Sequence, residues 1–232
     1  MTDVESVLRL IDTLSEAERR SVLNYIRRSV PLHPVEERLK ASAETILEAI
    51  SRSSAFTIRG IEGIIAEATF ALEVLPELVP WRELPIVGGQ SYDFLLTDGA
   101  DSQAIRLQVK MQRRKQHRPM MADEADKARR WPSDHFVVEV QRTRGGQDSS
   151  GAGTRPYRFN DFDVLAVSLA ASRGRWRDFR YTPGRWLIPD PSDGSRILKY
   201  QPVPPVDNAD WTADFLEVIS WFRSGVAKTI AG

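Results

Sequence analysis

The residues of this chain best suited to catalysis lie in Ser91–Arg118, on two short segments joined by a turn. Asp93 is on the first segment, and Gln108 and Lys110 are on the second. Apolar and polar residues alternate along the second segment, and this period of two is typical of a β-strand that presents Gln108 and Lys110 on one face. Asp98-Gly99 tolerates the positive φ of a tight turn. We therefore expect a β-hairpin that brings Asp93 within reach of Gln108.

Such a group of side chains suits the hydrolysis of a phosphodiester bond with a divalent cation. A hard cation can activate the attacking water and stabilise both the charge of the transition state and the departing oxygen. Mg²⁺ prefers oxygen ligands and keeps several waters, so the Asp93 carboxylate, the Gln108 side-chain oxygen and the Val109 carbonyl could hold it. Lys110 would stand beside the metal, where it could orient or help deprotonate the water and stabilise charge on the phosphate.

Glu67 is a second acidic residue that we assign to this site. It lies on a helix predicted over residues 59–75, in a stripe of otherwise small and apolar residues, whereas Glu62 and Glu73 fall on another face. An inward carboxylate needs a cation or a basic side chain beside it, because burying it unpaired is costly. We expect Glu67 to complete the surroundings of the metal through water. The alternative is a surface glutamate on a helix that presents a different face.

The first 54 residues predict a helical extension ahead of a domain that comprises residues 55–232. Thr2 and Ser15 are each followed three residues later by glutamate, which is the capping-box spacing of a helix start. A third helix is expected over Pro34–Ser51, because proline suits the first helical position. Reactive side chains do not cluster in this extension, so we interpret it as a helical cap or a dimerisation element.

The middle of the chain is basic although the formal net charge of the whole is zero. The segment Ile105–Arg158 contains thirteen Lys and Arg residues against six Asp and Glu residues. Such a run is either a solvated face or a surface that binds phosphates through sequence-independent electrostatics. The Gly- and Ser-rich segment Arg142–Arg158 is either a flexible linker or a loop that orders on DNA and reads base edges. The residues expected to contact DNA are Arg113, Arg114, Lys115, Arg118, Arg142, Arg144 and Arg155.

Hydropathy patterns predict further elements downstream of the hairpin. A short helix is expected over Met121–Arg130, and strands over His135–Gln141, Phe162–Leu169 and Phe179–Tyr181. A closing helix is expected near Ala209–Gly225. The tryptophans of this half are assigned to the core rather than to base stacking.

Composition excludes several classes of protein. The chain has no cysteine and three histidines, which excludes disulfides, cysteine-ligated zinc and a thiol nucleophile and argues against a histidine-rich metal site. No apolar run approaches the roughly 18 residues of a membrane helix, and the N-terminal residues lack the features of a signal peptide. We therefore expect a cytoplasmic protein that does not enter a membrane.

The residues Asp93 and Gln108-Val109-Lys110 resemble the PD-(D/E)XK nuclease superfamily, in the variant where glutamine replaces the middle acid. Glu67 matches the acidic residue often found on the preceding core helix of that superfamily. The resemblance covers about residues 58–169 and includes the order of the elements. The chain departs from the pattern in two ways: Tyr92 stands where the family name has proline, and Gln108 removes one negative charge, which favours one bound metal over two.

The segments TRPYRFNDFDVLAVSL and DFRYTPGRWL are also similar to bacterial type II restriction endonucleases of this superfamily. The resemblance implies an α/β fold of the mixed α+β kind, in which helices flank a mixed central β-sheet. It also implies Mg²⁺-dependent, sequence-specific cleavage of double-stranded DNA by a homodimer whose symmetry matches a palindromic site. Two other functions stay open: a DNA repair or junction-resolving nuclease of the same fold, and a catalytically inactive DNA-binding or partner-binding module.

Overall fold

The computed structural model of the protein describes residues 2–29, 33–99, 103–125, 128, 131–142 and 155–230. The chain divides into two compact units, Met1–Ile58 and Arg59–Gly232. No helix in the described part of the chain is both long and apolar enough to cross a membrane.

The first unit is helical, with α1 (Asp3–Thr13), α2 (Glu16–Ser29), α3 (Pro34–Leu39) and α4 (Ala43–Ser51). The predicted capping box at Thr2 is present, since its hydroxyl accepts from the third helical N–H and the Glu5 side chain accepts from the Thr2 N–H. The single helix predicted over Pro34–Ser51 is wrong. Lys40 adopts the left-handed conformation with φ of 51° and ends α3, and the Ser42 hydroxyl caps the start of α4.

The second unit is built on a five-stranded mixed sheet. Its strands lie in the order β1, β2, β3, β7, β8, in which only β3 and β7 pair in parallel. The predicted hairpin is confirmed, because β2 and β3 pair antiparallel with Phe94 opposite Leu107. These strands are β1 (Arg82–Leu84), β2 (Phe94–Thr97), β3 (Ile105–Met111), β7 (Val164–Ser168) and β8 (Phe179–Pro183).

Three two-stranded antiparallel sheets accompany the central one. They pair β4 with β5, β6 with β11 and β9 with β10. A bridge between Gln112 and Val138 continues β3 toward β6. The bounds are β4 (Arg114–Lys115), β5 (Arg118–Pro119), β6 (Phe136–Glu139), β9 (Pro189–Asp190), β10 (Asp193–Ile197) and β11 (Tyr200–Val203).

Helical segments surround these strands. The helix predicted over residues 59–75 is α5 (Ala55–Thr69), which widens into a π-helical turn over Phe70–Val74 and ends in a 3-10 turn over Leu75–Glu77. The closing helix α8 (Phe215–Arg223) is shorter than predicted, because the Asp214 carboxylate caps its first turn. The described residues also form two short helices, α6 (Ala122–Ala125) and α7 (Ala170–Arg173), and a 3-10 turn over Gly184–Trp186.

Both faces of the central sheet are buried, each by its own hydrophobic core. Alternate residues of β7 divide between the cores, with Val164 in one and Leu165 in the other. The core that contains Val164 also contains Phe70, together with Phe215 from α8. This arrangement is a mixed α+β fold with helices against a mixed central sheet, as expected. Trp186 and Trp211 are buried in the other core, and Trp176 and Trp221 pack against the cores.

Candidate metal site on the β2–β3 hairpin

The β2–β3 hairpin joins the carboxylate of Asp93 to the backbone of β3. The Asp93 N–H donates to the Leu107 carbonyl at 3.0 Å, which extends the pairing one residue before β2 begins. In return the Val109 N–H donates to Asp93 Oδ2 at 2.8 Å, and Gln108 Nε2 donates to the same oxygen. The sequence-based expectation that Asp93 reaches Gln108 is therefore correct.

Gln108 is almost fully buried, with 1% of its surface exposed. Its Nε2 also donates to the Val109 carbonyl at 3.1 Å, and its Oε1 accepts from the Tyr157 hydroxyl at 3.2 Å. All three expected ligand residues thus meet at one point. The Gln108 amide nitrogen lies between the Asp93 carboxylate and the Val109 carbonyl, both of which are acceptors.

These residues fit a bound Mg²⁺ after one rotation. The Gln108 –NH₂ group faces the oxygens of Asp93 and Val109, and half a turn of the amide would present Oε1 on that side as a third oxygen ligand. The Tyr157 hydroxyl could then accept from Nε2, since a hydroxyl both donates and accepts. The described residues contain no group of three or more His, Asp or Glu side chains that could hold a metal. Any cation here would depend on amide, carbonyl and water oxygens, which Mg²⁺ accepts.

Lys110 and Glu67 are half-buried and interact electrostatically with Asp93. Burial raises the pKa of Glu67 to about 7; the negative charge of Asp93 adds to this, and the positive charge of Lys110 opposes it. Burial lowers the pKa of Lys110, against the carboxylates of Asp93, Glu67 and Glu139. Burial likewise raises the pKa of Asp93, despite the nearby Lys110 and the two hydrogen bonds that it accepts. Perturbed groups of this kind are characteristic of functional sites.

The polar face of β3 carries Arg106, Gln108 and Lys110 in a row. Arg106 is fixed by Asp163, which precedes β7: its NH2 lies 2.6 Å from Oδ1 and its Nε 3.1 Å from Oδ2. The Arg106 N–H also donates to Oδ2 at 2.8 Å. None of the described carboxylates lies within ion-pairing distance of Lys110, whose Nζ lies 5.4 Å from the centre of the Tyr157 ring.

The basic run after Met111 has a different environment from the one its sequence suggests. No acidic residue offsets it along the chain, but the fold pairs each of its cations with a carboxylate. Arg113 lies 2.8 Å from Glu139, and Arg114 lies 3.1 Å from Glu62. Lys115 and Arg118 share Glu124 at 3.0 and 2.5 Å. These side chains would have to exchange carboxylates for phosphates to bind DNA.

The ends of the Gly- and Ser-rich segment are joined beside the hairpin. The Arg142 N–H donates to the Arg155 carbonyl at 2.9 Å, and Gln141 bridges Pro156. The Arg142 guanidinium pairs with Asp161 at 3.1 Å. Arg144, also expected to contact DNA, lies outside the described residues.

Sequence reasoning missed two residues near the site. Tyr157, 4% exposed, donates to Gln108, and its ring lies 5.4 Å from Lys110 Nζ. Burial raises its pKa, so the hydroxyl keeps its proton at neutral pH. Glu139 lies near Lys110 from the strand β6. Neither residue carries a local signal, because both reach the hairpin from distant parts of the chain.

Comparison with known proteins gives only distant similarity. No family model matches the chain, and no curated protein matches it. A bacterial homing endonuclease of known structure is 22% identical, with a TM-score of 0.37, over 65% of this chain and 81% of the other. At that TM-score the similarity is too distant to define the function of this chain.

Proposed function

We propose that this protein is a Mg²⁺-dependent endonuclease that cleaves double-stranded DNA at specific sequences, in the manner of a type II restriction enzyme. The observation that carries the proposal is the meeting of Asp93, the Gln108 amide and the Val109 carbonyl at one point, with Lys110 and Glu67 beside them. Phosphodiester hydrolysis requires an activated water, stabilisation of the phosphate charge and stabilisation of the leaving oxygen, and this set of groups can provide all three together with a cation.

Each residue has a defined part in the proposed reaction. Asp93, Gln108 and Val109 would hold the cation, which supplies an activated water and neutralises phosphate charge when bound. Lys110 would stabilise negative charge on the phosphate and help to orient the attacking water, because no described carboxylate lies within ion-pairing distance of its ammonium. Glu67, whose pKa lies about 7, can accept or release a proton near neutral pH.

The finer parts of the proposal rest on the resemblance and on the basic residues. Arg113, Arg114, Lys115 and Arg118 would exchange their carboxylates for DNA phosphates, and Arg142, Arg144 and Arg155 would approach the bases. We further propose that the protein acts as a homodimer, because two-fold symmetry matches a palindromic site.

The decisive experiment is digestion of a sequenced plasmid by purified protein and Mg²⁺, followed by mapping of the DNA ends. The parent protein should give fragments of fixed length. Asp93→Ala should give none, yet it should still bind duplex DNA in Ca²⁺. Asp12→Ala, an exposed aspartate of α1, is the matched control and should cleave like the parent. Cleavage by Asp93→Ala at the parent rate would refute the site, and cleavage of branched or mismatched DNA alone would favour a repair nuclease.

One observation favours a catalytically inactive DNA-binding module instead. Gln108 turns its amide nitrogen, not its oxygen, toward Asp93 and Val109, and oxygens of both residues accept hydrogen bonds from it. If that state persisted, neither Mg²⁺ nor Mn²⁺ would support cleavage of any duplex. Titration with Mn²⁺, followed by electron paramagnetic resonance, distinguishes the two functions because the inactive module would not bind the ion at this site.

A further inference from the structure

Tyr157 contacts both polar residues of the Gln108-Val109-Lys110 motif. Its hydroxyl donates to Gln108 Oε1 at 3.2 Å, and the centre of its ring lies 5.4 Å from Lys110 Nζ. A tyrosine placed in this way acts on the two residues by different means. The hydroxyl fixes the plane of the Gln108 amide, and the electron-rich ring face attracts the Lys110 ammonium.

The ring itself is held firmly. Tyr157 is 4% exposed and packs edge to face on Phe162, with ring centres 5.3 Å apart. Phe162 is in turn 2% exposed and lies against Gly184, where an added Cβ would come within 3.0 Å of the Phe162 ring. The guanidinium of Arg142 lies 5.5 Å from the Tyr157 ring centre. A side chain so enclosed cannot reach a DNA substrate, so any effect on cleavage must pass through its neighbours.

We propose that Tyr157 is a positioning residue for the candidate nuclease site, which keeps the Gln108 amide hydrogen-bonded in the plane needed for metal binding and holds Lys110 beside it. The inference rests on the proposed function. Its chemical basis is that a hydroxyl serves either orientation of the amide: it donates to Oε1 in the metal-free protein and accepts from Nε2 once Oε1 turns to a cation. Without the hydroxyl, a buried amide atom is left unpaired in either orientation, which is costly.

The test separates the hydroxyl from the ring. Tyr157→Phe removes only the hydroxyl, and Tyr157→Leu removes the ring as well. Tyr200→Phe is the matched control, because Lys199 Nζ lies 4.9 Å from the Tyr200 ring centre in a pair that does not belong to the site. We expect Tyr157→Phe to weaken Mn²⁺ binding about fivefold and to lower the cleavage rate at saturating DNA about tenfold, with the KM for DNA unchanged. Tyr157→Leu should lose more, and Tyr200→Phe should match the parent.

A double-mutant cycle with Gln108→Ala decides the mechanism. If Tyr157 acts through Gln108, then Tyr157→Phe should change the Mn²⁺ dissociation constant less than about twofold in the Gln108→Ala background. An effect of equal size in both backgrounds would overturn the positioning role while leaving the nuclease proposal intact. A change in the KM for DNA alone would also overturn it. A parent protein that neither binds Mn²⁺ nor cleaves DNA would overturn the proposed function itself, which is a distinct result.

Discussion

The candidate site and the β4–β5 hairpin shift the pKa values of the glutamates beside them in opposite directions. In the candidate site, burial raises the pKa of Glu67 to about 7 and lowers that of Lys110. In the β4–β5 hairpin, Arg118 and Lys115 hold the pKa of the Glu124 carboxyl well below its usual range. The charges at the hairpin form ion pairs with one another, whereas burial disfavours the charged forms of Glu67 and Lys110 in the site. Residue type alone therefore does not distinguish the two groups; burial and incomplete pairing do, and these are the features that mark a candidate functional site.

The largest difference between the two groups should appear in catalysis. Lys110→Ala should reduce the single-turnover cleavage rate at saturating protein by at least about 100-fold, because it removes an interaction with developing charge. Lys115→Ala should change that rate by less than about threefold, because phosphate contacts affect binding rather than the chemical step. Rapid-quench measurement of both variants provides the test. Equal losses would show that the two lysines share one role.

The packing behind the candidate site gives the next largest effect, on stability. A Cβ at Gly184 would lie 2.8 Å from the Phe162 carbonyl oxygen, so Gly184→Ala must push Phe162 and the tyrosine packed on it. We expect the free energy of unfolding to fall by about 1–3 kcal/mol, which is typical of an overpacked core. Gly194→Ala is the control, since a Cβ there meets nothing within 4 Å. Denaturant unfolding of both variants tests this, and equal midpoints would show that Phe162 yields without cost.

A smaller effect distinguishes Glu67 from Glu124 by pH. The folded-state pKa of Glu67 is about 7 against an ordinary 4.5, so its neutral form stabilises the fold fully below pH 4.5 and that contribution is lost as the pH rises through 7. Glu67→Gln should therefore stabilise the metal-free protein at pH 8, by about 1 kcal/mol after screening by solvent, and not at pH 4.

Glu124→Gln should show the opposite sign. The folded-state pKa of Glu124 is lowered, so its contribution is present above pH 4.5 and is lost as the pH falls. The variant should be less stable than the parent at pH 8, and the deficit should shrink as the solution is acidified. Thermal unfolding across this pH range tests both variants together. Parallel curves for Glu67→Gln and the parent would contradict the burial of the Glu67 charge.

The smallest expected effect concerns DNA binding by the paired basic residues. If the basic middle contacts six or more phosphates, the logarithm of the binding constant should fall with the logarithm of the salt concentration with a slope of about −5 or steeper. Lys115→Ala should make this slope shallower by about 1, whereas Lys40→Ala, in the first unit, should leave it unchanged. Fluorescence anisotropy in Ca²⁺ measures all three slopes. A flat response of the parent would show that the pairs with Glu62, Glu124 and Glu139 do not open for phosphate.

The sequence predicted those parts of the site that depend on local periodicity. Alternation along β3 predicted Gln108 and Lys110 on one face of the strand. The turn residues before β3 predicted a hairpin in which Asp93 reaches Gln108. Helical spacing also placed Glu67 on a stripe of small residues, and the structure gives it an electrostatic interaction with Asp93 and Lys110. A period of two or of 3.6 can be read from the chain because only neighbours along the sequence determine it.

Several other features of the fold and the site were not predicted, because no pattern along the sequence signals them. Glu62, Glu124 and Glu139 reach the basic run from a helix before it, a helix after it and a strand of another sheet. Tyr157 meets Gln108 from 49 positions away. The break in the predicted third helix depended on the backbone of Lys40, which adopts a conformation that lysine rarely takes. Tertiary contacts determine the carboxylate partners and the position of Tyr157, whereas the left-handed backbone of Lys40 is a local feature that its residue type does not signal.

The ion pair of Arg106 with Asp163 has a consequence for folding errors. Parallel strands of similar apolar residues, such as β3 and β7, can align in more than one way, and a slip by one residue exchanges the two faces of a strand. Such a misaligned chain would bury Gln108 and Lys110 among apolar side chains and turn Leu107 and Val109 toward the proposed metal. Asp163 directly precedes β7 and accepts three hydrogen bonds from Arg106, all of which a slip would break. The pair therefore favours the alignment of β3 and β7 in which Gln108 and Lys110 lie on the face of the sheet that carries the proposed site.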